Sequence, residues 1–145
     1  MKLKRFFTFL ILSVFFVTAC SADSSEIVPY AIEGEIEMDE SSELYDFAGL
    51  NMTFYNRSEK TVEEMTIVFY MFDSNGEPIS IGKGNITLHV KATVESKEFE
   101  NMRVSLDPFF YVIPDDVYTI DYLYVSKINY TDGSVWSDPF GILYF

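Results

Sequence analysis

The stretch of sequence that decides the fold runs from residue 65 to residue 78 and reads MTIVFYMFDSNGEP. Its first nine residues, 65–73, are apolar almost throughout and rich in β-branched and aromatic side chains. That composition favours a central β-strand that is covered on both faces, although a nine-residue helix is the alternative. The dipeptide Asn75-Gly76 follows, and it is the strongest short-range signal of a β-hairpin. The hairpin signal favours the strand.

Strand patterns continue on both sides of this stretch. Residues 30–38, YAIEGEIEM, alternate Ile32 and Ile36 with Glu33, Glu35 and Glu37, which is typical of a strand with one wet face. Four more segments show apolar residues at strand spacing: Leu50, Met52 and Phe54; Ile79 to Val94, with a break at Gly82 and Gly84; Phe99, Met102, Val104 and Leu106; and residues 117–130, which lead through an Asp132-Gly133 turn to Val135 and Trp136.

About seven or eight strands with turn signals at regular spacing predict an all-β fold, an antiparallel β-sandwich of immunoglobulin-like type. The pattern fails at residues 107–116, DPFFYVIPDD, where we expect a helical turn or a loop that plugs one end of the core. The chain has one tryptophan and one cysteine, so the paired cysteines of antibody domains are absent.

The first twenty residues indicate export and lipidation. Lys2, Lys4 and Arg5 precede an apolar run at residues 6–17, which has the length of a signal-peptide core and is too short to span a membrane. The quartet at residues 17–20, Val-Thr-Ala-Cys, resembles the lipobox of bacterial lipoproteins. The resemblance implies cleavage before Cys20 and acylation of its thiol, with an ordinary signal peptide as the alternative. We therefore predict a signal peptide at 1–19, a lipidated Cys20 with a short tether at 20–29, and a sandwich domain at 30–145.

Three stretches together resemble small bacterial lipoproteins that carry an immunoglobulin-like domain of FxLYD type. They are the lipobox, the strand and turn VFYMFDSNGEPI at 68–79, and the closing hairpin VSKINYTDGSVWSDPFG at 125–141. The FxLYD tetrapeptide itself is not reproduced, since residues 69–73 read FYMFD. Such modules share no enzymatic activity, so the resemblance implies a fold and a location in the cell envelope.

Charge restricts the partners. Removal of residues 1–19 leaves 7 basic and 23 acidic residues, a net charge of −16. Nucleic acid is excluded as a partner because its phosphates need a basic surface, and anionic lipid headgroups are repelled as well. We expect the acyl chains on Cys20 to be the contact with the membrane. Ser21 replaces the Asp of inner-membrane retention signals, which favours the outer membrane if the organism has two membranes.

No residue pattern indicates catalysis. The single histidine, His89, lies between Leu88 and Val90 on the wet face of a strand, and no nucleophile elbow is present. We therefore expect a binding or structural module, with an unknown envelope or host protein as the partner, and no enzyme.

Calcium is the alternative ligand, because hard cations take several oxygen ligands. The candidates are the turn residues Asp73, Asn75 and Glu77 and a cluster of acids at Glu37, Asp39, Glu40 and Glu43. The spacing departs from the EF-hand loop, so a hairpin turn is the simpler interpretation of Asp73 to Glu77. Asp115, Asp116, Asp132 and Asp138 flank later loops and could gather at one pole.

Aromatic side chains are the candidates for partner binding, since tyrosine and tryptophan are enriched in binding hot spots. Those that we single out are Tyr122, Tyr124, Tyr130 and Trp136, with Tyr111 and Tyr118 as further members. Packing in the core explains them equally well. The first interpretation predicts a contiguous aromatic patch on one sheet face or loop pole.

Overall fold

The computed structural model describes residues 28–38, 48–79, 84–109 and 118–144. Seven β-strands and one 3₁₀ turn lie in these residues. They are β1 (Tyr30–Met38), β2 (Ala48–Asn56), β3 (Val62–Phe72), β4 (Ile86–Val94), β5 (Phe99–Ser105), the 3₁₀ turn (Asp107–Phe109), β6 (Thr119–Tyr130) and β7 (Val135–Ser137). Residues 65–72 are therefore strand and not helix. No helix in this part of the chain has the length and apolarity to cross a membrane.

The strands form two antiparallel sheets, which confirms the predicted β-sandwich. The three-stranded sheet has the order β1-β2-β5, and the four-stranded sheet has the order β4-β3-β6-β7. In constant-type immunoglobulin domains the fourth strand joins the first sheet beside the fifth. Here β4 pairs with β3 in the second sheet. The central strand β3 is flanked by β4 and β6, as its apolar composition predicts.

The core lies between the sheets and is built by the predicted alternation. Ile32, Leu50, Met52 and Phe54 point inward, while Glu33, Glu35 and Glu37 lie on the outer face. The largest side chains buried with them are Tyr30, Phe69, Met65, Ile67, Met71, Leu106 and Ile128. Each such side chain contributes about 1.5–3 kcal/mol on burial, so the alternation fixes the register of the sheets.

Phe99 of β5 does not share the inward face of Met102 and Val104. Phe99 lies on the outer face, where its ring stacks on Tyr55 at 4.4 Å and stays 65% exposed. Its position is one residue out of step with Met102 and Val104, and side chains of a strand alternate between the two faces. The strand itself is present as predicted.

The hairpin after β3 confirms the turn signal. Asp73 N donates to Glu77 O, Ile79 N donates to Met71 O, and Gly76 adopts a φ of +78°, which glycine tolerates without strain. β4 starts at Ile86, so the long strand predicted from Ile79 is interrupted near Gly84, while Gly82 lies outside the described residues. Of residues 107–116, the described part confirms a helical turn at Asp107–Phe109.

Strand β6 carries an extra residue at two of its three register shifts against β3, and at the third, between Val62 and Glu64, the extra residue is on β3. The register shifts between Thr66 and Ile67 and again between Val68 and Tyr70. At the first shift the buried hydroxyl of Tyr30 crosses the core, accepts from Val125 N at 2.9 Å and donates to Val125 O at 3.3 Å. Burial raises the pKa of Tyr30 well above its ordinary value, so the hydroxyl stays protonated. The second shift shapes the candidate site.

Candidate functional site

An aromatic groove lies on the outer face of the four-stranded sheet. It encloses about 590 Å³ and is lined by Tyr70 of β3, Tyr122 and Tyr124 of β6, and Phe140, Gly141 and Ile142 of the segment after β7. We call these six residues the aromatic groove. The Tyr70 and Tyr122 rings meet edge to face, with centroids 5.8 Å apart and planes at 77°.

The segment after β7 forms one wall of the groove and is held at several points. Asp138 N donates to Ser126 O, and the buried Asp138 carboxylate accepts from Ile142 N at 3.1 Å and from Leu143 N at 2.9 Å. At its end, Tyr144 donates to Ile32 O on the open edge of β1. Because the backbone is pinned, Phe140 and Ile142 are presented to solvent, 79% and 74% exposed.

Gly141 allows this segment to approach the sheet. Its φ is +67°, and a Cβ at this position would lie 3.1 Å from the Tyr124 ring. A side chain here would therefore be strained and would press on the ring. Tyr124 lies beneath the segment, and its hydroxyl donates to Pro139 O at 3.3 Å. Since Val68 pairs with Tyr124, this layer also covers the outer face of the central strand.

Tyr122 is held in a backbone conformation that aromatic residues rarely adopt. Its φ is +53°, in the left-handed region, and it lies where the register against β3 shifts. Tyr124 and Asp121 are three residues apart in β6, whereas their partners in β3, Val68 and Tyr70, are two residues apart. β6 therefore has one extra residue at this point, which forms a β-bulge. Bulges of this kind re-aim side chains, and a bulky residue at positive φ costs about 1–3 kcal/mol. Asp121 Oδ1 accepts from Tyr122 N at 2.8 Å and holds the turn.

The six residues that line the groove carry no charge, and two acidic residues, Asp138 and Asp121, lie next to them in the structure. Burial, aided by the nearby Tyr70 and Asp138, raises the pKa of Tyr124. Tyr124 therefore stays protonated at neutral pH and keeps its hydrogen bond to Pro139 O. Asp121 lies directly opposite Tyr70 in the ladder, and residues directly opposite share a face. Its carboxylate is thus at the rim.

Two of the four predicted binding residues lie in the groove and two do not. Tyr122 is half exposed and Tyr124 forms the floor. Tyr130 is buried at one pole beneath Lys60, whose Nζ lies 5.5 Å from the ring centroid. Trp136 is partly buried and meets Tyr30 edge to face at 5.5 Å, so these two aromatic residues pack in the core. Tyr118 packs partly against the core as well, and Tyr111 lies outside the described residues.

The sequence interpretation missed Tyr70, Phe140 and Ile142. Tyr70 stands within an apolar run and carries no separate signal. Phe140 and Ile142 stand in the closing stretch DPFGILYF, at 138–145, which resembles one more strand. Its proline and glycine were the available sign that it instead forms a turn with exposed apolar residues.

A second groove lies on the outer face of the three-stranded sheet. It encloses about 570 Å³, and the side chains that point into it include those of Glu33, Glu35, Asn51, Thr53 and Arg103. Hydrogen bonds already join Thr53 Oγ1 to Asn101 and Asn51 Nδ2 to Glu37. This is an exposed polar face with its donors and acceptors partly paired.

Asp73 serves the hairpin turn. Its Oδ1 accepts from Asn75 N and from Glu77 N, both at 2.9 Å, and these bonds lower the pKa of its carboxyl. Among the described residues, no three His, Cys, Asp or Glu side chains are grouped so that they could hold a metal ion. Glu37 pairs with Asn51 and lies near Arg103, and the other members of its cluster, Asp39, Glu40 and Glu43, lie outside the described residues. Calcium binding stays a prediction.

Asp132 and Asp138, the two acidic residues of the later loops that the structure describes, have separate structural roles. Asp132 closes the last hairpin by accepting from Ser134 and pairing with Lys60 at 3.0 Å, whereas Asp138 pins the groove wall. Asp115, Asp116 and Cys20, with the predicted signal peptide and tether, lie outside the described residues. His89 is exposed on the outer face of β4, as predicted, and contacts Thr66 Oγ1 through Nδ1 at 3.2 Å.

Comparison with known proteins adds the fold alone. No family model and no curated protein matches the chain. A hypothetical protein of Peptoclostridium difficile 630, solved at 1.85 Å, is similar in structure with a TM-score of 0.52 and 14% identity, covering 77% of this chain and 87% of that one. A structural-genomics target is more distant, with a TM-score of 0.44 and 13% identity, covering 74% of this chain and 79% of that one.

Proposed function

We propose that this chain is a lipid-anchored protein of the bacterial cell envelope, exposed outside the cytoplasm, which binds a partner protein through the aromatic groove and catalyses no reaction. The observation that best supports a binding site is the backbone conformation of Tyr122. An aromatic side chain is held at positive φ on a bulge, half exposed, beside two exposed apolar side chains. Strain of this kind persists where the placement of the side chain serves a purpose.

The composition of the groove supports binding over catalysis. Among the described residues its lining consists of three tyrosines, a phenylalanine, an isoleucine and a glycine. Tyrosine offers a large rigid contact area and a polar end, and clustered aromatic side chains anchor many interfaces. The lining residues that the structure describes include no carboxylate or imidazole that could exchange protons with a substrate near neutral pH.

The anchor is supported by the sequence. The lipobox-like quartet ends at Cys20, and the first strand begins at Tyr30. Nine residues between them span at most about 30 Å when extended, so acyl chains on Cys20 would keep the sandwich near the bilayer. Two or three chains hold a protein stably, while one holds it weakly. The FxLYD-type resemblance favours the same location.

The anchoring part is tested with Cys20→Ser. We expect the wild-type chain to incorporate a fatty-acid analogue during growth and to fractionate with membranes. The variant should lose the label and remain unprocessed, because the lipid-dependent cleavage requires the thiol. Label incorporation by the variant equal to that of the wild type would contradict lipidation at Cys20.

The binding part is tested by photo-crosslinking in cells. A photoreactive phenylalanine analogue replaces Phe140 in the groove, and Phe99 on the opposite sheet is the matched control because it is similarly exposed. We expect a discrete protein adduct from position 140 that disappears when Tyr122→Ser is added, and no such adduct from position 99. Equal adducts from both positions, or none from position 140, would contradict a binding role for the groove.

A further inference from the structure

We infer that the aromatic groove receives a cationic side chain, lysine or arginine, from the partner protein. The inference rests on the proposed function and adds the chemistry of the ligand. Its first support is the pair of rings in the walls of the groove, since Tyr70 and the half-exposed Tyr122 meet edge to face above the buried Tyr124. The faces of such rings attract ammonium and guanidinium groups.

The second support is charge complementarity. None of the six groove residues is charged, but two carboxylates adjoin them: Asp138 accepts from Ile142 N behind the wall, and Asp121 lies opposite Tyr70 in the ladder. The chain carries a net charge of −13, so the field around the groove attracts cations and repels anions. A carboxylate beside uncharged rings in an acidic chain therefore favours a positive group over a neutral or negative one.

The third support is the shape of the groove. Phe140 and Ile142 stand at its wall and are largely exposed, which suits the apolar stem of a lysine or arginine side chain. The charged end would then reach the tyrosine rings and the carboxylate.

The experiment compares three acetylated and amidated tripeptides, Leu-Lys-Leu, Leu-norleucine-Leu and Leu-Glu-Leu, which differ at the central side chain. They are titrated into the full-length protein, held in an uncharged detergent and labelled with fluorotyrosine, with ring resonances followed by NMR. We expect the lysine peptide to shift Tyr70 and Tyr122 while Tyr55 on the other sheet stays unchanged. Its affinity should exceed that of the norleucine peptide by about tenfold, which a desolvated cation–π contact next to a carboxylate can supply.

Two variants test which residues cause the preference for the lysine peptide over the norleucine peptide. Asp121→Asn should remove most of the difference between the lysine and norleucine peptides, and Tyr122→Leu should remove it while the groove keeps an apolar side chain. Tyr55→Leu on the opposite sheet is the control and should change nothing.

Other outcomes overturn the inference. Equal affinities for the lysine and norleucine peptides, or a preference for the glutamate peptide, would refute a cation site while leaving a groove that binds protein. Shifts of the groove rings with phosphatidylcholine vesicles but not with the lysine peptide would assign the groove to a lipid headgroup instead. The absence of any shift together with absent crosslinks at position 140 would refute both the inference and the proposed function.

Discussion

Replacing Tyr122 separates the cost of its backbone from the role of its ring. The side chain is held at a φ of +53°, and an L-residue in the left-handed region costs about 1–2 kcal/mol. Glycine removes that cost but loses about 0.5–1 kcal/mol through its greater freedom in the unfolded chain. Tyr122→Ala keeps the strain, and both variants lose the same contact with Tyr70. We therefore expect Tyr122→Gly to be more stable than Tyr122→Ala by up to about 1.5 kcal/mol, the reverse of the ordinary order within strands.

Denaturant unfolding of both variants measures the difference as a shift in midpoint at constant slope. In a domain of this size 1 kcal/mol corresponds to about 4 °C in melting temperature. The matched control is Thr87, which is exposed on the outer face of β4 and is not among the residues with positive φ. Thr87→Gly should be less stable than Thr87→Ala. The reasoning is refuted if glycine is the less stable variant at both positions, since that would mean that Tyr122 carries no backbone strain.

The remaining predictions concern the fold and the metal. Tyr30→Phe should lower the free energy of unfolding by about 1–3 kcal/mol in a urea titration, because it leaves the buried Val125 N–H and C=O without the hydroxyl; an unchanged midpoint would contradict this. Asn56→Ala should cost at least as much, because this fully buried amide donates to the carbonyls of Lys60, Val94 and Glu95, and calorimetry would detect the loss. Hydrogen bonds from Ser134 and Lys60 lower the pKa of Asp132 in the folded protein to about 2, below its unfolded value near 3.8. The ionised carboxylate therefore stabilises the fold above about pH 4, and this stabilisation is lost as the pH falls from about 4 to 2. Asp132→Asn should reduce the dependence of the melting temperature on pH between about 4 and 2 and leave it unchanged at higher pH. If Asp73 acts only as a turn residue, millimolar calcium should leave the melting temperature unchanged. A rise of several degrees in the melting temperature that Asp73→Asn abolishes would instead establish a calcium site.

The strands could be predicted because their signals are local. Alternation at residues 30–38, the apolar run from Met65 and the Asn75-Gly76 and Asp132-Gly133 turns each reflect one strand or one hairpin, and each is present as expected. Side chains follow from this alternation except where the pattern changes phase, as at Phe99. The positions of the bulges in β6 could not be predicted, because they depend on the register against β3 and on Tyr30, which lies 95 residues away from Val125 along the chain.

The groove could be predicted only in part for the same reason. Tyr122 and Tyr124 stood out by residue type, but Tyr130 and Trp136 are of the same type and belong to the core and one pole. What separates them is the segment of residues 138–144, whose course is set by the Asp138 carboxylate and by the approach of Gly141 to Tyr124. Neither contact leaves a periodic trace in the sequence.

The central claim is that the aromatic groove is covered by a partner in the living cell. Oxidative footprinting, which labels exposed aromatic and aliphatic side chains, tests it directly when the wild-type chain is compared in intact cells and after purification in detergent. The proposed function predicts that Phe140 and Ile142 are labelled several times less in cells than in the purified protein, while Phe99 on the opposite sheet is labelled equally in both. Equal labelling of Phe140 and Ile142 in the two preparations would contradict the claim.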